Sequence, residues 1–130
     1  MLRRIFFLVS IVGVLVITAG CRYKQAKLTS ADNGKTVSVK AGEKIIVILD
    51  GNPSTGYTWE AKDLDRAMLQ QVGEATFKSG NPGLVGAGGT LTLTFKTLRA
   101  GTTALELIYH RPWETDVKPL GTFVVNVTVK

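Results

Sequence analysis

One cysteine and one histidine in 130 residues exclude two kinds of architecture at once. A single cysteine closes no intrachain disulfide, and with one histidine it cannot complete a Cys/His zinc site. No acid–nucleophile arrangement accompanies His110, so there is no case for a catalytic triad and no enzymatic activity is expected. Neither a metal nor a cofactor is expected. Helical periodicity is nearly missing as well: only Leu64–Gln71 is compatible with a helical turn. There is no internal repeat, and one glycine cluster is the only low-complexity feature. The formal charge is +6, but the basic residues are scattered singly along the chain, which argues against nucleic-acid binding. An anionic membrane surface or an acidic partner suits such a charge better. The length allows one domain.

Long apolar runs are confined to the beginning. Fourteen of the first twenty residues are hydrophobic, and Ile5–Ala19 is uncharged. That run is short of the ~20 residues a membrane-spanning helix needs. Arg3 and Arg4 precede it and small residues follow, the layout of a secretory signal. The break, Thr18-Ala19-Gly20-Cys21, resembles a prokaryotic lipobox. The resemblance implies diacylglyceryl transfer to Cys21, cleavage before it, and acylation (palmitate) of the new amino end. A free thiol is the alternative reading. A cysteine at a processing junction has no fixed surroundings to lower its pKa, so it suits an anchor better than a nucleophile. Acyl chains contribute ~0.8 kcal/mol per buried CH₂. Residues 1–20 are therefore read as a lipoprotein signal peptide, 21–26 as acylated cysteine and tether, and 27–130 as the folded domain. Such a protein is an exported lipoprotein of the cell envelope, on its periplasmic or cell-surface side.

The domain reads as strands and turns. Thr36–Val39, Lys44–Leu49, Thr90–Leu98, Thr102–His110 and Phe123–Lys130 carry strand patterns, most of them alternating apolar and polar residues. Tyr57–Ala61 and Val72–Lys78 are further candidates. Trp59 is expected in the core and His110 at a strand end. Short strands separated by turn signals in about 100 residues favour an all-β fold, an antiparallel sandwich of about 7–8 strands.

Three loops break the pattern with unusual residues: Asn52-Pro53-Ser54-Thr55-Gly56-Tyr57, then Gly80–Gly89 ending Gly86-Ala87-Gly88-Gly89, then Arg111-Pro112-Trp113-Glu114. Two candidate strands separate each loop from the next. In an antiparallel sandwich an even number of crossings returns the chain to the same end, so all three loops should meet at one pole. Pro53 fixes φ, Gly56 can adopt positive φ, and Asn52 can bond backbone two residues on, which predicts a rigid first loop. Glycines at 86, 88 and 89 would permit close approach to a partner. Arg111 and Trp113 are residue types enriched at interface hot spots. Each motif alone is weak: Pro-Ser-Thr-Gly is ordinary turn composition, Gly-x-Gly-Gly lacks the following helix of a phosphate loop, and Trp113 suits a core as well as a surface.

Taken together and in this order, the three segments resemble the chagasin-like inhibitors of papain-family cysteine peptidases. That pattern is Asn-Pro-Thr-Thr-Gly-Tyr, Gly-x-Gly-Gly, and Arg-Pro-Trp or Arg-Pro-Phe. Ser54 is the one departure; it keeps a hydroxyl and loses a methyl. The resemblance covers roughly residues 27–130 and implies an immunoglobulin-like sandwich acting as a monomer. It further implies that Ser54 and Thr55 lie over the catalytic cysteine of a papain-family peptidase. Gly86–Gly89 and Trp113 would grip either side of the cleft. The competing reading is a non-enzymatic adhesive or ligand-binding module of the envelope.

Overall fold

A computed structural model describes residues 25–130; the expected signal peptide, Cys21 and most of the tether lie outside the described residues. The strands are β1 (Gln25–Leu28), β2 (Thr36–Val39), β3 (Lys44–Gly51), β4 (Thr58–Lys62), β5 (Leu69–Gln71), β6 (Thr76–Ser79), β7 (Gly89–Thr97), β8 (Gly101–His110) and β9 (Gly121–Val129). They form two sheets. The first has the order β1-β3-β7-β5, with β6 also on β7; the second has the order β2-β9-β8-β4. The expected immunoglobulin-like sandwich is present.

Alternation explains the core. Ile45, Val47 and Leu49 of β3 face inward with Leu91, Leu93 and Phe95 of β7. Leu105 and Leu107 of β8, and Phe123, Val125 and Val127 of β9, close the space from the other sheet. Each fully buried side chain of this size contributes about 1.5–3 kcal/mol. Thr97 is the one buried polar residue among those described. Its hydroxyl lies 2.8 Å from the Glu43 carbonyl and 3.0 Å from that of Lys40, tying the β2–β3 turn to β7. Thr97→Val should cost about 1 kcal/mol in denaturant unfolding, because the apolar replacement loses that bond.

The sheets are mixed, not wholly antiparallel as expected. β1 runs parallel to β3, and β2 runs parallel to β9. The N-terminal segment crosses from the edge of one sheet to the edge of the other through a short 3₁₀ turn at Ser30–Asp32. A parallel pair needs a crossover between its strands, and β2 in the opposite sheet supplies it for β1 and β3. Periodicity reports which face a residue occupies and is silent on strand direction. The expected tether through Ala26 also ends early, since Gln25 and Ala26 already pair with Lys44 and Ile45.

The expected strand over Val72–Lys78 is present only in its second half, as β6, and a further short strand, β5, precedes it at Leu69–Gln71. β5 and β6 both pair antiparallel with β7 and follow one another along the same edge. Gly73, at φ 70°, turns the chain between them. The helical possibility at Leu64–Gln71 reduces to one turn, where the Asp65 carbonyl accepts from the Met68 and Leu69 amides at 3.1 and 2.9 Å. Leu69 then enters the core as the first residue of β5. Counting β5 and β6 as one interrupted crossing leaves two crossings between successive unusual loops.

Candidate functional site

The first loop is built by its own residues. Pro53–Thr55 form a single 3₁₀ turn capped by Asn52, whose Oδ1 accepts from the Ser54 amide at 3.2 Å. The Ser54 hydroxyl donates to the same oxygen. Thr55 Oγ1 donates to the Asn52 carbonyl at 2.6 Å. Gly56 ends the turn at φ 84° and donates to the Pro53 carbonyl at 2.9 Å. Pro53, Ser54 and Thr55 are left exposed at the tip, with Gly56 and Tyr57 half-buried behind them.

The three loops meet. Asn52 Nδ2 donates to the Gly86 carbonyl at 3.0 Å, and Ser54 Oγ lies 3.5 Å from the same oxygen. From the other side, Arg111 Nε donates to the Thr55 carbonyl at 3.0 Å. One turn is thus tied to both neighbours through bonds that reach 34 and 56 residues along the chain.

Arg111 differs from expectation. It does not project as a free interface anchor; its guanidinium sits 4.5 Å over the Tyr57 ring and pairs with Glu114 at 3.0 Å. The hydrogen bond to Glu114 raises the guanidinium above its ordinary pKa, so the strut stays charged. Trp113 is two-thirds exposed, beside exposed Pro112. Its ring packs against Gly56, and a Cβ at position 56 would collide with it.

The glycines of the second loop have separate tasks. Gly86 offers its carbonyl to Asn52, and Gly88 accepts from the Gly80 amide at 3.1 Å, closing the loop base. Gly89 was expected to help the backbone approach a partner. Instead it lets β6 lie against β7, because a Cβ there would run into the Lys78 carbonyl and the Ser79 backbone. Ala87 is half-buried between them.

Sequence reasoning missed Tyr109. Its hydroxyl accepts from the Asn52 amide at 3.0 Å, from 57 residues away. The ring stacks on Trp59 at 5.1 Å between centroids and meets Tyr57 at 5.2 Å. Trp59 packs against the core as expected, while its indole donates to the Asp50 carbonyl at 2.9 Å. A column of Trp59, Tyr109, Tyr57 and Arg111 therefore underlies the loops. Tyr109 falls in phase with Leu105 and Leu107, which marks it as inward-facing but not as a loop support. Tyr109→Phe keeps the ring and leaves the Asn52 amide without its acceptor. It should lower stability by about 1 kcal/mol by chemical denaturation.

Exposed apolar residues at this end were also missed: Leu84 and Val85 in the second loop, Val117 and Leu120 in the third. The signal available was two apolar residues inside a glycine-rich loop. His110 takes no part; it pairs with Glu60 at 2.7 Å across β4 and β8. The result is an end of the sandwich whose loops are tied to one another, with hydroxyls at the tip and exposed apolar residues on its flanks.

Known proteins share this organisation. Residues 38–127 match the family described as Chagasin family peptidase inhibitor I42. Chagasin of Trypanosoma cruzi is 36% identical over 91 residues, covering 67% of this chain and 82% of that protein. Amoebiasin-1 of Entamoeba histolytica is 31% identical over 103 residues, covering 79% and 98%. The crystal structure of a cysteine protease inhibitor from Entamoeba histolytica superposes with a TM-score of 0.71 at 30% identity, over 82% of this chain and 96% of that one. The solution structure of Amebosin gives 0.68 at 30% identity, over 82% and 99%. With the motifs, the sandwich and these relatives in agreement, the chain belongs to the chagasin family of peptidase inhibitors.

Proposed function

We propose that this protein is a reversible inhibitor of papain-like cysteine peptidases, a binder and not an enzyme. Its three clustered loops enter the active-site cleft. The observation that carries the reading is the tying of the Ser54–Thr55 tip to both neighbouring loops, through Gly86 and Arg111. A tip held in a closed 3₁₀ turn cannot extend along a cleft as a substrate strand does, so it occupies the catalytic cysteine without being efficiently cleaved. Preordered loops also lose little entropy on binding. The flanks then supply contact: Trp113 on one side, Gly86–Gly89 on the other. The Entamoeba histolytica relative described as a cysteine protease inhibitor supports the target class. Titration of the purified protein against papain tests this. Complete absence of inhibition at about micromolar inhibitor, a binding free energy weaker than ~8 kcal/mol, overturns it.

The same proposal places the protein on the cell envelope, anchored by lipid on Cys21. The short apolar run, the basic start and Thr18-Ala19-Gly20-Cys21 support it. Cys21→Ala should abolish metabolic acyl labelling and membrane retention and leave inhibition in solution intact. Continued labelling of the variant excludes the anchor.

A further inference from the structure

The two poles of the sandwich differ in charge. β1 lies parallel to β3 with Gln25 opposite Lys44, and β3 ends at Gly51 beside the first loop. The chain therefore enters the domain at the pole opposite the three loops. There the outer face of the first sheet carries one continuous row across β1, β3, β7 and β5: Gln25, Lys44, Lys96 and Gln70. Lys27 is next in, opposite Ile46. Lys44 and Lys96 face each other in register, an arrangement that costs stability when nothing neutralises it.

No described residue does. Among the described residues the ion pair is Arg111–Glu114, and neither it nor the His110–Glu60 hydrogen bond is here. Glu43, next to Lys44 in sequence, accepts from the Lys40 amide at 3.0 Å and caps its own turn. Gln25, Gly42, Lys44 and Lys96 together line a shallow recess. The adjoining loops of this pole add Lys40, Arg66 and Arg99 against Glu43, Asp63 and Asp65, and Lys62 at the end of β4 faces Glu106 of β8 in register, so the excess is that of Lys27, Lys44 and Lys96. At the loop pole, Lys78, Arg111 and Lys118 are balanced by Asp50, Glu114 and Asp116. The basic excess thus sits where the chain enters.

We propose that this basic pole rests on anionic lipid headgroups, so that the inhibitory loops face away from the membrane. The inference rests on the anchor at Cys21. Four residue steps separate Cys21 from Gln25, a reach of at most about 14 Å at ~3.5 Å per residue. Arg22 and Lys24 lie within that link. A link of that length lets Lys44 and Lys96 come within the ~10 Å over which a surface potential fades. Each lysine near such a surface strengthens association about fivefold. A peptidase arriving from the aqueous side would then meet the loops first.

The test uses the processed, acylated full chain in vesicles of phosphatidylcholine alone or mixed with phosphatidylglycerol. Lysine acetylation is read residue by residue by mass spectrometry. Labelling of Lys44 and Lys96 should fall about fivefold on the anionic vesicles and recover at about 1 M salt, with Lys118 unchanged. Equal labelling of Lys44 and Lys96 on both vesicles, or protection of Lys118 in their place, overturns the proposal. Protection produced on neutral vesicles by added polyphosphate also overturns it, in favour of a soluble polyanion. Acyl mass and papain inhibition are measured on the same samples. A chain without acyl groups removes the anchor and the orientation together. An acylated chain with unprotected lysines removes the orientation alone, and loss of inhibition with protection intact removes only the inhibitor reading.

Discussion

Gly56→Ala should raise the inhibition constant against papain about a hundredfold, the scale of losing a hot-spot contact. Two effects act at one atom. Gly56 sits at φ 84°, where a Cβ costs ~1–2 kcal/mol of backbone strain. The new methyl would also occupy the space of the Trp113 ring, which packs directly on this glycine. The turn does not yield easily, whereas the exposed indole can swing aside. The turn is fixed by Asn52 and by the Arg111 bond to Thr55, and moving the indole alters the apolar flank of the wedge. Unfolding in denaturant should show the strain alone, a loss of ~1–2 kcal/mol. A variant with unchanged inhibition would mean that neither the left-handed turn nor the indole position matters to binding.

Trp113→Ala should weaken inhibition by about 1–3 kcal/mol, five- to more than a hundredfold, with little change in stability. The ring is two-thirds exposed, so removing it leaves no core cavity. Its loss is felt when a partner covers it. Combining the two substitutions separates the effects of Gly56→Ala, because without the indole the collision disappears and only strain remains. The double variant should therefore be less impaired than the sum of the singles. Strict additivity would place the damage of Gly56→Ala wholly in the backbone. An unchanged inhibition constant for Trp113→Ala would remove that residue from the binding surface.

Much of this site was legible in the sequence because much of it is local. Asn52 capping Ser54, Pro53 opening the turn and Gly56 closing it involve residues no more than three apart. Covalent geometry and side-chain type decide such contacts. Strand counting also brought the loops to one end, and it survived the additional strand β5 because β5 and β6 lie along the same edge of β7 as one interrupted crossing. The roles of Arg111 and Gly89 were not legible. A guanidinium suits an interface or a strut equally, and a glycine suits a partner's backbone or its own chain's. Which applies depends on what lies opposite.

The sequence by itself determined which face of the alternating strands β2, β7, β8 and β9 is buried, that the first loop is a rigid turn, and that three unusual loops lie two crossings apart. These follow from period-two alternation and from preferences that act over a few residues. Only the tertiary structure decided that β1 and β2 join their sheets in parallel, that Tyr109 holds Asn52 from beneath, and that Lys44 and Lys96 face each other at the pole where the chain enters. Those pairings join residues tens of positions apart. They are selected by the packing of whole sheets, about which a local pattern of apolar and polar residues carries no information.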